Sequence, residues 1–319
     1  MMKTLKQKDY QEIRTWFHRN ARPLEMALWN YFHEDGTREA VAEELSYYQN
    51  EDGRFGNAVE PDGWNPESSP YATMTAAITL RKIELMEHAG TDHPMVQGIL
   101  RYLDSGVYSD EDGWFFSIPS SDNYPHAPWW TFSEKENKLQ SLGITAGLCS
   151  FILHYAEPET SVYNKALKYT EQLLKKAEST EDFGEMGAGG MCVLLIDVLQ
   201  KGLFPDLECG RLLEKMGEAS NSRIERNPEK WAMYTPRPSE FIESPNSPLY
   251  KGNEEIVEKE LDYLIDTRNP GGVWDITWSW FDLGEKYAKE FAISANWWMG
   301  VKAIDKVGFL KSFGRVDAL

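Results

Sequence analysis

Residues 49–55 read Gln49-Asn-Glu-Asp-Gly-Arg-Phe55, and soon afterwards the chain runs Tyr71-Ala-Thr-Met-Thr-Ala-Ala-Ile-Thr-Leu80. The same pair recurs as Ser109-Asp-Glu-Asp-Gly-Trp-Phe115 followed by Leu142-Gly-Ile-Thr-Ala-Gly-Leu-Cys-Ser-Phe-Ile-Leu153. Asp-Gly supplies a turn whose glycine takes a positive φ, and the aromatic that follows is expected to tuck under the helices. Weaker copies of the turn are Thr180-Glu-Asp-Phe-Gly184 and Arg268-Asn-Pro-Gly-Gly-Val-Trp274. Self-similarity of this kind marks a repeat architecture.

Two sorts of helix alternate around these turns. Met186–Leu195 and Phe291–Gly300 join 71–80 and 142–153 as segments that are apolar nearly all round and rich in small residues, the pattern of helices buried on every side. The others carry one apolar stripe. Tyr163, Ala166, Leu167, Leu173 and Leu174 share a helical face with Thr170 as its semi-polar member. Met95, Val96, Ile99, Leu100 and Leu103 form a second stripe, Val41, Leu45 and Tyr48 a third, and Ile256, Val257, Leu261, Leu264 and Ile265 a fourth. Wet outer helices alternating with dry inner ones predict an all-α fold, a single α/α toroid over residues 1–319 with about ten to twelve helices in a double ring. One stretch breaks the rhythm. Residues 221–253 hold Pro228, Pro236, Pro238, Pro245 and Pro248, which no helix can span, together with Trp231, Tyr234, Phe241 and Tyr250. A packed irregular strap is expected there.

Composition narrows the class. The 319 residues are 41% hydrophobic and 26% charged, which excludes disorder and a coiled coil, and 12 of them are tryptophan. No apolar run approaches the roughly 20 residues of a membrane span, so stable membrane insertion is not expected. With 33 basic against 51 acidic side chains the net charge is −18, unsuited to general attraction for nucleic acid or anionic lipid. Residues 1–11 show no signal-peptide pattern, and Cys149, Cys192 and Cys209 lack Cys-x-x-Cys spacing, so a reducing cytoplasm is the simplest location. No metal-ligand cluster is apparent, and neither a metal nor a cofactor is expected.

The Gln-x-x-Asp-Gly-x-Phe turn at 49–55, followed by a small-residue helix, resembles the repeat of terpene cyclases and protein prenyltransferases, that of the squalene-hopene cyclases in particular. The resemblance carries motifs at 49–80 and 108–153 and implies an α/α toroid enclosing an apolar cavity. The cyclase Asp-x-Asp-Asp box has no counterpart in Ala72–Ala77 or Gly143–Gly147, and Asp110-Glu111-Asp112-Gly113 lies in the turn. The Asp-Asp-x-x-Asp diphosphate motif and the prenyltransferase zinc ligands are also missing.

Chemistry is therefore sought in three decorated loops, since loops on a rigid scaffold concentrate function. The first, Asn57–Asn65, offers Glu60, Asp62 and Trp64; the second, Asp122–Trp130, offers Asp122, His126, Trp129 and Trp130; the third, Trp274–Trp280, offers Asp275 beside Trp274, Trp278 and Trp280. Trp297 and Trp298 follow on an inner helix. Asp275, Glu60, Asp62 and His126 are the candidate catalytic groups, and Trp64, Trp129, Trp130, Trp274, Trp278, Trp280, Trp297 and Trp298 the candidate substrate-binding residues. Each has a structural alternative. The carboxylates would cap loops or pair with cations such as Arg237 and Arg268, the histidine would be hydrogen-bonded in place, and the tryptophans would fill the core.

Three functions fit this set. The leading expectation is an enzyme using a carboxylic acid, Asp275 or Glu60, on an isoprenoid or other apolar small molecule in an aromatic-lined cavity. A carbohydrate-active enzyme, hydrolase or lyase, would set Glu60 or Asp62 opposite Asp275 with tryptophan platforms. A non-catalytic ligand-binding toroid would lack the family's motifs. The sequence leaves oligomeric state open.

Overall fold

The computed structural model describes residues 2–180 and 183–317, with the backbone alone for 184–186. The turn copy at 180–184 lies partly outside the described residues, as does the Met186 side chain. The described chain is all-helical: α1 (Gln7–Asn20), α2 (Pro23–His33), α3 (Arg38–Ser46), α4 (Pro70–Lys82), α5 (Leu85–Ala89), α6 (Pro94–Ser105), α7 (Glu134–Tyr155), α8 (Ser161–Ser179), α9 (Gly184–Lys201), α10 (Cys209–Arg223), α11 (Glu254–Asp266), α12 (Phe281–Lys286) and α13 (Ala288–Ser312). Extended pairing among the described residues is limited to isolated bridges. No helix among them is long and apolar enough to cross a membrane.

Contacts divide the chain into two compact units, one of residues 1–44 with 221–319 and one of residues 45–220. In the second unit every apolar stripe finds a core. Met95, Val96, Ile99, Leu100 and Leu103 of α6 are all buried, and so is Thr170 within the α8 stripe. Each such aliphatic burial contributes about 1.5–3 kcal/mol relative to exposure. α4 starts on Pro70 with the Ser69 hydroxyl accepting from the Ala72 N–H at 3.1 Å, and α7 starts on Ser133, whose hydroxyl accepts from Glu136 N–H at 3.3 Å. Both are ordinary N-caps.

The two strong turn copies share a positive-φ glycine and a buried aromatic, but the second is one residue tighter, so that Trp114 is buried and Phe115, the counterpart of Phe55, is half-buried. Gly53 and Gly113 have φ of +86° and +137°. Phe55 and Trp114 are both fully buried, and each donates its backbone N–H to a threonine of a small-residue helix, Phe55 to Thr73 at 3.3 Å and Trp114 to Thr145 at 3.0 Å. A β-carbon on Gly53 would stand 2.6 Å from the Gly98 carbonyl oxygen, and one on Gly113 would stand 2.1 Å from Thr145 Oγ1. Only glycine fits either place, for its φ and for the space. The copy at 268–274 repeats the first turn's hydrogen bonds in the first unit. Asn269 N–H bonds Val273 O at 2.7 Å and Gly272 N–H bonds Asn269 O at 2.8 Å, as Asn50 N–H bonds Arg54 O at 2.7 Å and Gly53 N–H bonds Asn50 O at 2.9 Å.

The small-residue helices are not dry on every side. α7 is buried through most of 142–153, but α4 exposes Ile78, and α9 exposes Val193, Ile196 and Leu199 by 40–45%. Small residues let one face approach closely; a β-carbon on Gly190 would lie 2.7 Å from Gly143 O. That close contact occupies a single face of α9 and leaves the opposite one open.

In the first unit Leu5, Tyr10, Ile13 and Phe17 share a core with Trp29, Leu261, Leu264, Trp274 and Val307. Residues 221–253 are irregular for most of their length. The first of them complete α10, short 3-10 turns follow at Pro228–Lys230 and Pro238–Glu240, Trp231 and Ile242 are fully buried, and Tyr234 is exposed. His33 is buried against Trp29, ring centroids 4.7 Å apart, with Nε2 bonded to Ile304 O at 2.9 Å.

Two predictions follow from these elements. Gly53→Ala and Gly113→Ala should each lower unfolding free energy by about 2–4 kcal/mol in denaturant titrations, because left-handed strain and collision add. Burial, helped by the charge of Lys311, lowers the His33 pKa from 6.5 to about 4. The unfolded chain therefore takes up this proton first, and stability present above pH 6.5 is lost as pH falls toward 4, by up to about 3 kcal/mol. His33→Gln should remove that share of the pH dependence in parallel unfolding curves.

Candidate functional site

Two of the three decorated loops are stitched together in the second unit. Trp64 N–H donates to Pro125 O at 3.0 Å, Ala127 N–H donates to Asp62 O at 2.9 Å, and Gly63 pairs with His126 as an antiparallel bridge. The first loop bends through consecutive left-handed residues, Asn57 at φ +56° and Ala58 at φ +59°. Such conformations cost about 1–3 kcal/mol each and cluster at functional sites.

Between these loops and the start of α4 lies a cavity of about 40 Å³, lined by Glu60, Tyr71, Phe116, Ser117, His126 and Trp130 among others. That is room for about two or three waters, or for the end of a larger molecule. Tyr71, Phe116 and Trp130 form a ring cluster, with centroids 4.2 Å apart for Tyr71–Trp130 and 4.8 Å for the stacked Phe116–Trp130 pair. Glu60 is 8% exposed and its Oε2 accepts from the Asp62 N–H at 3.1 Å. The point a Gly63 β-carbon would occupy is 3.5 Å from Glu60 Oε2 and 3.8 Å from Trp130 Nε1, so the missing side chain leaves carboxylate and indole facing one small space. Trp130 Nε1 and Ser117 Oγ are buried and lack a hydrogen-bond partner, whereas native buried polar groups are nearly always paired.

The remaining sequence candidates fall as follows. Asp62 is 1% exposed, two residues from Glu60. His126 has both ring nitrogens engaged, Nδ1 with Tyr124 O at 2.6 Å and Nε2 with Thr131 Oγ1 at 3.0 Å. It stands in the cavity wall as a hydrogen-bonded brace. Asp122 accepts from Phe132 N–H at 2.8 Å, and Trp129 is 37% exposed outside the cavity lining, while Trp64 is half-buried.

The third loop belongs to the first unit. Asp275 is exposed and accepts from Asn269 Nδ2 at 2.7 Å, and it has no desolvated setting. Trp274, 3% exposed, gives its indole N–H to Leu264 O at 2.9 Å within the core, and Trp280 is fully buried. Trp278 packs edge-on against Trp298 at 5.3 Å, and the Trp297 ring carries the Arg22 guanidinium at 4.8 Å. Arg268 pairs with Asp9 at 2.6 Å, and Arg237 lies 3.8 Å from Glu260, whose acid form is favoured by burial.

Several neighbours are not evident from sequence. Asn137, buried at the start of α7, accepts the Phe116 and Ser117 N–H groups at 2.7 and 2.9 Å and so places both in the cavity wall. On the same unit's inner helices, Asp197 of α9 is 1% exposed and gathers Ser150 and His154 of α7 with Arg81 of α4. The sequence signal for that cluster is a lone acid in the apolar run 191–199. Ser150 bonds to Asp197 and not to His154, so the group is an ion-pair clamp and not a nucleophile triad. Among the described residues no group of three or more His, Cys, Asp or Glu side chains is placed to hold a metal ion.

Comparisons of the chain with protein-family models, curated proteins and solved structures give no match.

The clamp is asymmetric in burial, because the Arg81 side chain is 35% exposed and that of Asp197 1%. Arg81→Met should therefore cost about 3 kcal/mol by stranding a buried carboxylate, and Asp197→Asn distinctly less, in equilibrium unfolding.

Proposed function

We propose that this chain is a terpene cyclase-like enzyme in which Glu60, in the second unit, performs acid catalysis on the end of an isoprenoid or similarly apolar substrate. The observation that carries the reading is the placement of one carboxyl group, nine-tenths buried, in the wall of a cavity walled by Tyr71, Phe116 and Trp130. In its acid form Glu60 donates a proton to a carbon–carbon double bond. The resulting positive charge is met by three π faces, which attract cations best where water is excluded. The Asp62 N–H at 3.1 Å then stabilises the carboxylate left behind. The cavity holds the reacting end of a chain rather than a whole polyprenyl substrate.

A second reading, a carbohydrate-active enzyme, draws support from the unpartnered Trp130 indole N–H and Ser117 hydroxyl, which suit a hydroxylated ligand beside Glu60 and Asp62. The test is product analysis after incubation with farnesyl, geranylgeranyl and squalene substrates, and separately with an oligosaccharide panel. Turnover of a polyprenyl substrate that falls about 100-fold or more in Glu60→Gln, at unchanged thermal stability, supports the first reading. Gly63→Ala, whose methyl group fits without collision between carboxylate and indole, should also slow it. Turnover indifferent to Glu60→Gln overturns the reading, and cleavage of oligosaccharides alone selects the second.

A further inference from the structure

The first unit holds a different anomaly, two lysines that face rings. Lys306 of α13 is 6% exposed, with Nζ 5.2 Å from the centroid of the Trp274 ring. One turn earlier Lys302 places its Nζ 5.6 Å from Trp278 and 5.9 Å from Trp298. With 51 acidic against 33 basic side chains, carboxylates are in surplus, yet neither lysine enters an ion pair among the described residues. A lysine kept for stability would be expected to reach one of them. The i,i+4 spacing also sets the two ammonium groups on one helical face, where like charges oppose each other.

The charges around Lys306 come from three elements. α13 supplies Lys302 and Asp305, the strap supplies Arg237, and α11 supplies Glu260. Glu260 is committed elsewhere, accepting Ser239 N–H at 2.7 Å and Ser239 Oγ–H at 2.6 Å with Arg237 beside it. Burial first, then Arg237 and Lys302, push the Lys306 ammonium down from 10.5 to about 6, against the weaker pull of Glu260 and Asp305. A desolvated amine beside other cations is the arrangement that makes a lysine nucleophilic near neutral pH.

We propose that Lys306 is a reactive amine that condenses with a small carbonyl compound bearing a carboxylate, an aldehyde acid or a 2-oxo acid, to form an imine. The lone pair of Nζ attacks the carbonyl carbon, and the carbinolamine loses the carbonyl oxygen as water together with the two amine protons. Lys302, one turn away on the same helical face, attracts the ligand's carboxylate; its ammonium lies against the half-buried Trp278 and Trp298 rings and meets no carboxylate among the described residues. This site is independent of Glu60, which lies in the other unit.

The test treats the full chain with glyoxylate and sodium cyanoborohydride, which delivers hydride to the imine carbon, and maps the modified lysines by mass spectrometry. At pH 7 Lys306 should be alkylated at least about tenfold faster than the median lysine. Its rate should level off above about pH 7, where other lysines still accelerate toward pH 10. Its preference for glyoxylate over propionaldehyde should exceed that of the surface lysines, and Lys302→Ala should reduce that preference and raise the pH of the plateau. Labelling of Lys306 no faster than the median, or a rate still rising at pH 9, overturns the proposal. Equal relative rates with propionaldehyde overturn the carboxylate specificity. The reading needs no folded Lys306 variant, since the wild-type labelling map decides it, and turnover at Glu60 does not enter the result.

Discussion

A positive-φ glycine seated against a neighbouring helix governs how the repeated elements come together. Gly53 meets the backbone at Gly98, and Gly113 meets Thr145, at separations that admit no β-carbon. Each turn then sends its buried aromatic inward and anchors that residue's N–H on a threonine of a small-residue helix. Steric exclusion and a hydrogen bond act on the same few residues, so turn and helix are fixed together. The loops after the turns inherit that rigidity. The short bridges between 62–64 and 125–127 can therefore hold Glu60, His126 and Trp130 around one space.

The two units use aromatic side chains differently. In the second, Tyr71, Phe116 and Trp130 stack beside a carboxyl group. In the first, Trp274, Trp278 and Trp298 lie next to lysines, and Trp297 next to Arg22. The negative face of an aromatic ring suits both settings, since it attracts a fixed cation as readily as a developing one. The high tryptophan content thus reflects ring–cation pairing as well as core filling by Trp29, Trp114, Trp231 and Trp280.

Helical periodicity and turn chemistry were legible in the sequence because both are local. The stripe in α6 and the positive φ at Gly53 and Gly113 depend on near neighbours only. Loop membership of Glu60, His126 and Trp130 was legible too, although their meeting was not, since it rests on backbone bonds between distant loops. Asp275 was misleading in its environment: its place next to a buried aromatic says nothing of the outward turn that exposes it to solvent. Asp197 stands out as a lone acid in the apolar run 191–199, but nothing local names Arg81 as its partner, and the Lys302/Lys306 pair stayed hidden because each lysine looks like an ordinary surface charge until burial is known. The open face of α9 was missed because an all-round apolar pattern does not tell which side a glycine contact will occupy.

The pairing of a carboxyl group with three π faces is best examined by a crystal structure with an isoprenoid amine, whose ammonium stands in for the carbocation. Density for the ammonium against the Tyr71, Phe116 and Trp130 rings and within hydrogen-bonding reach of Glu60 is the expected outcome. An ammonium bound elsewhere at saturation, with this cavity unchanged, would refute the assignment of cation chemistry to Glu60 and its ring cluster.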